Sequence, residues 1–135
     1  MVRKIAAICL LSALALAACS TTKDKPVDPN LYPTTYKKQI LDTLKQTLAV
    51  NTNVRDAYIS DPVLMQVGKE QRYTVCVRSN SRNIEGVYTG AKDRIAYFYA
   101  GDLNQLVDAK PEQCANAAYK PFPELEHLCQ AKECK

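Results

Sequence analysis

The chain has 135 residues, with 18 Lys and Arg against 14 Asp and Glu, 47% hydrophobic residues, six Cys, one His and no Trp. That length allows one domain and falls short of the usual nucleotide-binding or barrel enzyme. A formal charge of +4 without a concentrated basic stretch argues against a nucleic-acid partner, and near-average apolar content with small net charge argues against overall disorder.

Arg3 and Lys4 open the chain with positive charge, and residues 5–18 form an apolar run interrupted only by Cys9 and Ser12. Fourteen residues are too few to span a hydrocarbon core, which takes roughly 20 in a helix. Residues 1–18 are therefore read as a signal peptide. The run ends in Leu16-Ala17-Ala18-Cys19, which resembles the lipobox of bacterial lipoproteins, with cleavage between Ala18 and Cys19. Cys9 is the poorer candidate because bulky, β-branched Ile8 precedes it.

The resemblance implies a diacylglycerol on the Cys19 thiol and an acyl chain on its new amino group, with no other cofactor and with the membrane as a partner. At roughly 0.8 kcal/mol for each buried CH₂, several acyl chains hold far more firmly than one. Ser20 stands where an Asp tends to retain Gram-negative lipoproteins in the inner membrane, so the resemblance implies the outer membrane, on its periplasmic face. The arrangement as a whole is similar to that of small outer-membrane lipoproteins.

Residues 19–33 are the lipidated Cys and an extended tether, with Pro26, Pro29 and Pro33 and alternating charge. In a polyproline-like state its fourteen residues after Cys19 reach roughly 45 Å. Residues 34–135 are left as a single small domain. Without Arg3 and Lys4 it and the tether carry 16 basic against 14 acidic side chains, so the domain is close to neutral.

Tyr36, Ile40, Leu41, Leu44 and Leu48 fall on one face of a helix over residues 35–48, opposite Lys37, Lys38, Asp42 and Lys45, with Thr34 or Thr35 as N-cap. Residues 51–53 end it. Residues 55–60 and 63–67 are short strand candidates parted by Asp61-Pro62, a pattern that fits a bent edge. Residues 71–79 alternate most clearly, with Tyr73, Val75 and Val77 on one face and Arg72, Thr74, Cys76 and Arg78 on the other. Residues 94–100 and 103–107 flank Gly101-Asp102, a two-residue hairpin signal. The expected fold class is α+β, an amphipathic helix packed on an antiparallel meander of three to four strands with a disulfide-tied C-terminal segment. In that segment Pro111 opens one or two helical turns, and residues 124–132 form a short helix.

Of the six cysteines, four remain for the domain: Cys76, Cys114, Cys129 and Cys134. An even number in an exported chain points to two disulfides. Cys76 faces away from the helix, toward the C-terminal segment, so the pairing Cys76 with Cys114 and Cys129 with Cys134 is favoured. A helix continuing past Cys129 would hold Cys134 too far away, and Cys114 would then pair with Cys129 or Cys134. A zinc site from Cys114, His127, Cys129 and Cys134 lacks paired knuckles, and a Cys-His nucleophile would need a free thiol.

No phosphate loop, nucleophile elbow or metalloprotease helix is present, and one His in the tail leaves little for a triad. The chain is read as a non-catalytic binding or structural protein of the envelope, with an envelope protein or polymer as partner. The candidate binding residues are Arg72, Arg78 and Arg94, expected on the sheet face opposite the helix, with Arg82 and Lys92 in the segment over residues 80–92, which reads equally as a long functional loop or as a hairpin extension in which Val87 and Tyr88 add a strand. Such a set suits carboxylates or phosphates. Two alternatives remain: an inhibitor-type lipoprotein that blocks a hydrolase with this loop, and an envelope enzyme.

Overall fold

A computed structural model describes residues 25–129. The expected signal peptide over residues 1–18, Cys19 and Cys134 lie outside the described residues. Helix α1 (Tyr36–Thr47) is followed by strands β1 (Val50–Ile59), β2 (Val63–Val67), β3 (Glu70–Arg82), β4 (Lys92–Tyr99), β5 (Asp102–Asp108) and β6 (Lys120–Pro121), and by the short helix α2 (Pro123–Glu126).

This architecture corrects the expected α+β domain with its helix on a three- to four-stranded meander. The protein is mostly β, a single antiparallel sheet of six strands in the order β5-β4-β3-β1-β6, with β2 also pairing β3. The larger sheet follows from the length of β3. Along one edge it pairs with β4; along the other, its first residues take β2 and its last residues take β1.

Ser60 makes the change of partner possible at the Asp61-Pro62 break. Its N–H donates to the Cys76 carbonyl, and its hydroxyl accepts from the Cys76 N–H, both at 2.9 Å. The buried side chain thus replaces a backbone acceptor that the break removes. The start of β1 escaped a reading by alternation because Asn53 and Asp56 take positive φ, +52° and +53°, where the β1–β3 register shifts. Each kink disrupts the period of two.

Helix α1 forms where its periodicity predicts. Ile40 and Leu44 are fully buried against Val75, Val77, Ala96 and Phe98 of the sheet. Burying side chains of this size contributes roughly 1.5–3 kcal/mol each. Gln39 clamps the helix to the β4–β5 turn, accepting from the Leu103 N–H at 2.5 Å and donating to the Gly101 carbonyl at 3.0 Å. At the other end of the same core sit Phe122 and Leu125, both fully buried. The terminal helix expected over residues 124–132 is reduced to the four residues of α2 within the described part.

A second, smaller cluster occupies the opposite sheet face, with Cys76, Ile95 and Cys114 at its centre and Tyr97, Ala117 and Tyr119 around it. The Cys76–Cys114 disulfide, with Cα atoms 5.9 Å apart, fastens the C-terminal segment across this face. That segment makes turns rather than the expected helical start at Pro111, because its backbone follows the sheet face to which Cys114 is bonded. Cys129 is also disulfide-bonded.

Part of the stretch read as tether lies on the domain. The Pro29 carbonyl accepts from the Ala100 N–H at 2.9 Å, Tyr32 meets the ring of Tyr73 edge-on at 5.2 Å, and Pro33 is buried. No helix among the described residues is long and apolar enough to cross a membrane.

Candidate anion-binding site

The five predicted basic residues do not form one face. Register places Arg72 and Arg78 on the disulfide side with Thr74 and Cys76, whereas Arg94 lies opposite Val77 and Lys92 opposite Ser79, on the helix side. The expectation that Arg94 joins Arg72 and Arg78 is thus corrected: directly paired residues share a face, and the β3–β4 register gives Arg94 the face of Val77. Arg82 ends β3 rather than standing in a loop.

Carboxylates already hold three of the five. Arg72 pairs with Glu70 and lies 5.2 Å from the Tyr99 ring centroid. Arg94 pairs with Asp108 at 3.5 Å. Arg78 grips Asp93 through two bonds, Nε at 2.7 Å and Nη2 at 2.9 Å, while its guanidinium stacks 4.7 Å from the Tyr119 ring centroid. The Tyr119 hydroxyl donates to the same Asp93 oxygen at 2.9 Å. Arg78 and Tyr119 hold the Asp93 carboxyl below the usual range, the Arg78 hydrogen bond contributing most. Burial, then the Asp93 hydrogen bond, pushes the Tyr119 hydroxyl up. These groups form structural pairs whose charges are satisfied.

Arg82 behaves differently, and it has a neighbour that the sequence reading passed over. Arg82 Nη2 donates to the Thr52 hydroxyl at 2.9 Å, while its Nε is buried without a hydrogen-bond partner. Its guanidinium lies 5.9 Å from the Tyr88 ring centroid, and that of Arg55 lies 4.0 Å from the same ring. Among the described residues, neither arginine makes an ion pair. Two cations therefore share one aromatic ring, whose quadrupole attracts both but neutralises neither.

The backbone aims these groups. Register shifts on either side of Arg55 interrupt its pairing with β3, and bulges of this kind redirect side chains. Tyr88 is fixed at its far end, where its hydroxyl donates to the Asn53 carbonyl at 2.6 Å. The hairpin carrying it is ordered by Asn83, whose side-chain oxygen accepts from the Glu85 and Val87 N–H groups, both at 3.0 Å, and by an Arg82–Tyr88 bridge. Residues 80–92 are accordingly a hairpin extension built on Tyr88.

Arg55, Arg82 and Tyr88 line a polar cleft of about 450 Å³, closed on its other side by Glu126 and His127. Glu126 accepts from the Ala57 N–H at 3.1 Å. The Pro123 carbonyl, 2.8 Å from His127 Nδ1, can only accept, so Nδ1 carries the proton and Nε2 is left to the cleft or solvent. The cleft offers guanidinium donors with a positive excess, and such forks match carboxylate and phosphate oxygens.

Sequence reasoning missed Arg55 and Tyr88 as binding residues, and weighed His127 only as a zinc ligand or as the partner of a nucleophilic thiol. The 33 positions from Arg55 to Tyr88 follow no local period, and only the turn-forming Asn53 hinted at a kink. No group of three or more His, Cys, Asp or Glu able to hold a metal occurs among the described residues. Compared with protein-family models, with curated proteins and with solved structures, the chain finds no match.

Proposed function

We propose that this chain is a lipid-anchored, non-catalytic protein of the bacterial cell envelope that binds phosphate or carboxylate groups of an envelope component in the Arg55–Tyr88–Arg82 cleft. The observation that carries the binding reading is the pair of guanidinium groups converging on one ring, neither in an ion pair among the described residues although Glu126 lines the same cleft. The lipobox-like Leu16-Ala17-Ala18-Cys19 supports the anchor and, with Ser20, an outer-membrane address. Sites built this way bind through charge, so affinity falls with added salt.

The test is calorimetric titration of the full chain with inorganic phosphate. The expected result is salt-sensitive binding that drops at least about tenfold in Arg55→Gln, as loss of one charge-assisted contact predicts, and is retained in Arg78→Gln. Equal affinity in the wild type and Arg55→Gln would overturn the site. The anchor is tested separately: Cys19→Ser should lose incorporation of labelled palmitate, and continued labelling would refute the lipobox.

A second reading, inhibition of a hydrolase, is favoured by the hairpin tip, where Ile84 is 86% exposed on a turn already ordered by Asn83. A preorganised apolar tip costs little entropy on insertion into a cleft.

A further inference from the structure

Strand β2 is the least protected edge of the sheet. It pairs with β3 on one side only, and no strand among the described residues takes its other side. Val63, Leu64 and Met65 are 54%, 40% and 41% exposed. Sheet edges normally carry lysines, prolines or bulges that block pairing with another chain. Residues 63–67 contain none of these and keep an unbroken register.

The direction of the free backbone groups follows from the turn. Val67 and Glu70 close the two-residue turn Gly68-Lys69, and such closing residues bond to each other. Alternation then directs Val63, Met65 and Val67 to β3, and Leu64 and Gln66 outward.

We infer that a second copy of this chain pairs on this edge, β2 against β2, antiparallel about a twofold axis at Met65. The sequence is self-complementary in that register. Val63 falls opposite Val67 of the second copy, Met65 opposite Met65, and Leu64 opposite Gln66, so the residues with outward backbone groups meet as hydrogen-bonded pairs. Beyond the strand, Asp61 of one copy lies at the same end of the contact as Lys69 of the other copy's turn, so the charges at each end are complementary. Asp61 is exposed and held at the edge by Lys120 and Tyr36, and Lys69 is exposed. Pro62, which has no N–H, limits the pairing to the strand itself. A twofold contact of this kind closes on itself, because the β2 edge of each copy is used up by the other.

Val63, Met65 and Val67 share a sheet face with Thr74 and Arg72, beside an apolar groove of about 430 Å³ between β2 and the segment carrying Gln113 and Ala117. Pairing would join the grooves of two copies into one continuous apolar surface.

The test uses the full chain in mild detergent. Met65 pairs with itself at a non-hydrogen-bonded position, where side chains are closest, so Met65→Cys should form a covalent dimer on mild oxidation. Pairing supplies a millimolar effective concentration, so at about 10 μM protein the link should form roughly a hundredfold faster than in an Ile84→Cys control. Mass mapping should place the bond between the two copies of position 65. By sedimentation, Lys69→Asp should weaken association about tenfold through like-charge repulsion. Leu64→Pro, which removes an outward N–H and leaves the β3 bonds intact, should abolish it. Cross-linking of Met65→Cys at the Ile84→Cys rate would overturn the inference, as would sedimentation unchanged by Leu64→Pro.

Discussion

Arg55 rests 4.0 Å above the ring of Tyr88, whose hydroxyl reaches back to the Asn53 carbonyl two residues before that arginine. Tyr88 therefore does two separable things: its ring seats a cation, and its hydroxyl buttresses a residue with φ of +52°. Tyr88→Phe keeps the first and loses the second. It should cost about 1 kcal/mol of stability and leave phosphate binding within about twofold of wild type. Tyr88→Leu loses both and should weaken phosphate binding by about fivefold, the equivalent of a cation–π contact. Urea titration and calorimetry on the two variants check this, and equal phosphate affinity in both would show that the ring does not organise the cleft.

The disulfide between Cys76 and Cys114 closes a sequence separation of 38 and is the covalent hold on the segment that covers the second face. Replacing both cysteines by Ser should lower unfolding stability by about 2–5 kcal/mol. Val75 and Val77 stay buried on the other face, so β3 should persist. Hydrogen exchange should then rise over residues 109–119 first, ahead of the central strands; uniform loss of protection would show that the two faces unfold together.

What the sequence revealed divides along physical lines. Helix α1, the β4–β5 hairpin and the Cys76–Cys114 pair were legible because each rests on a short-range signal: a 3.6 period, Gly101, and one Cys facing the tail. The hairpin turn itself is Ala100-Gly101 and not the expected Gly101-Asp102, because Asp102 already pairs with Tyr99 as the first residue of β5. The full extent of β1 was hidden because Asn53 and Asp56 interrupt alternation at the place where the strand turns its side chains toward the cleft. The face of Arg94 depended on how many residues the 80–92 hairpin inserts, and a change of one reverses it. Arg55 and Tyr88 meet only through the fold; Asp93 and Asp108 reach Arg78 and Arg94 across strands, whereas Glu70 stands two residues before Arg72 in β3 itself. Charge counts therefore overstated those arginines and overlooked the unpaired one.

Gly101 stands at φ +85°, and a β-carbon there would come 3.4 Å from Leu31 Cδ2. The same turn receives Gln39 of α1 and lies beside the Pro29 carbonyl that accepts from Ala100. Gly101→Ala should thus destabilise by about 1–2 kcal/mol through backbone strain and loosen residues 29–33. Faster proteolysis near Leu31 together with a lowered melting temperature is the expected result. Unchanged protection there would mean that the strain stays within the turn.

Asp93 makes the disulfide-side face of the sheet sensitive to pH, since Arg78 and Tyr119 both bond to its carboxylate there. Its folded carboxyl titrates below the ordinary range, chiefly because Arg78 donates to it, so the unfolded chain binds a proton more readily than the folded one. The stability from this shift is fully present above the unfolded carboxylate value of about 4 and is lost as pH falls through the lower folded value. Asp93→Asn removes the charge that Arg78 and Tyr119 address, and should cost about 2 kcal/mol at neutral pH, in the range for hydrogen bonds to charged groups. Its distinctive signature is in acid. As pH falls below about 4 the wild type should lose stability more steeply than the variant, so the two curves converge. Urea unfolding across that range measures the convergence directly, and parallel curves would show that the Arg78–Asp93 pair contributes nothing to the acid limb.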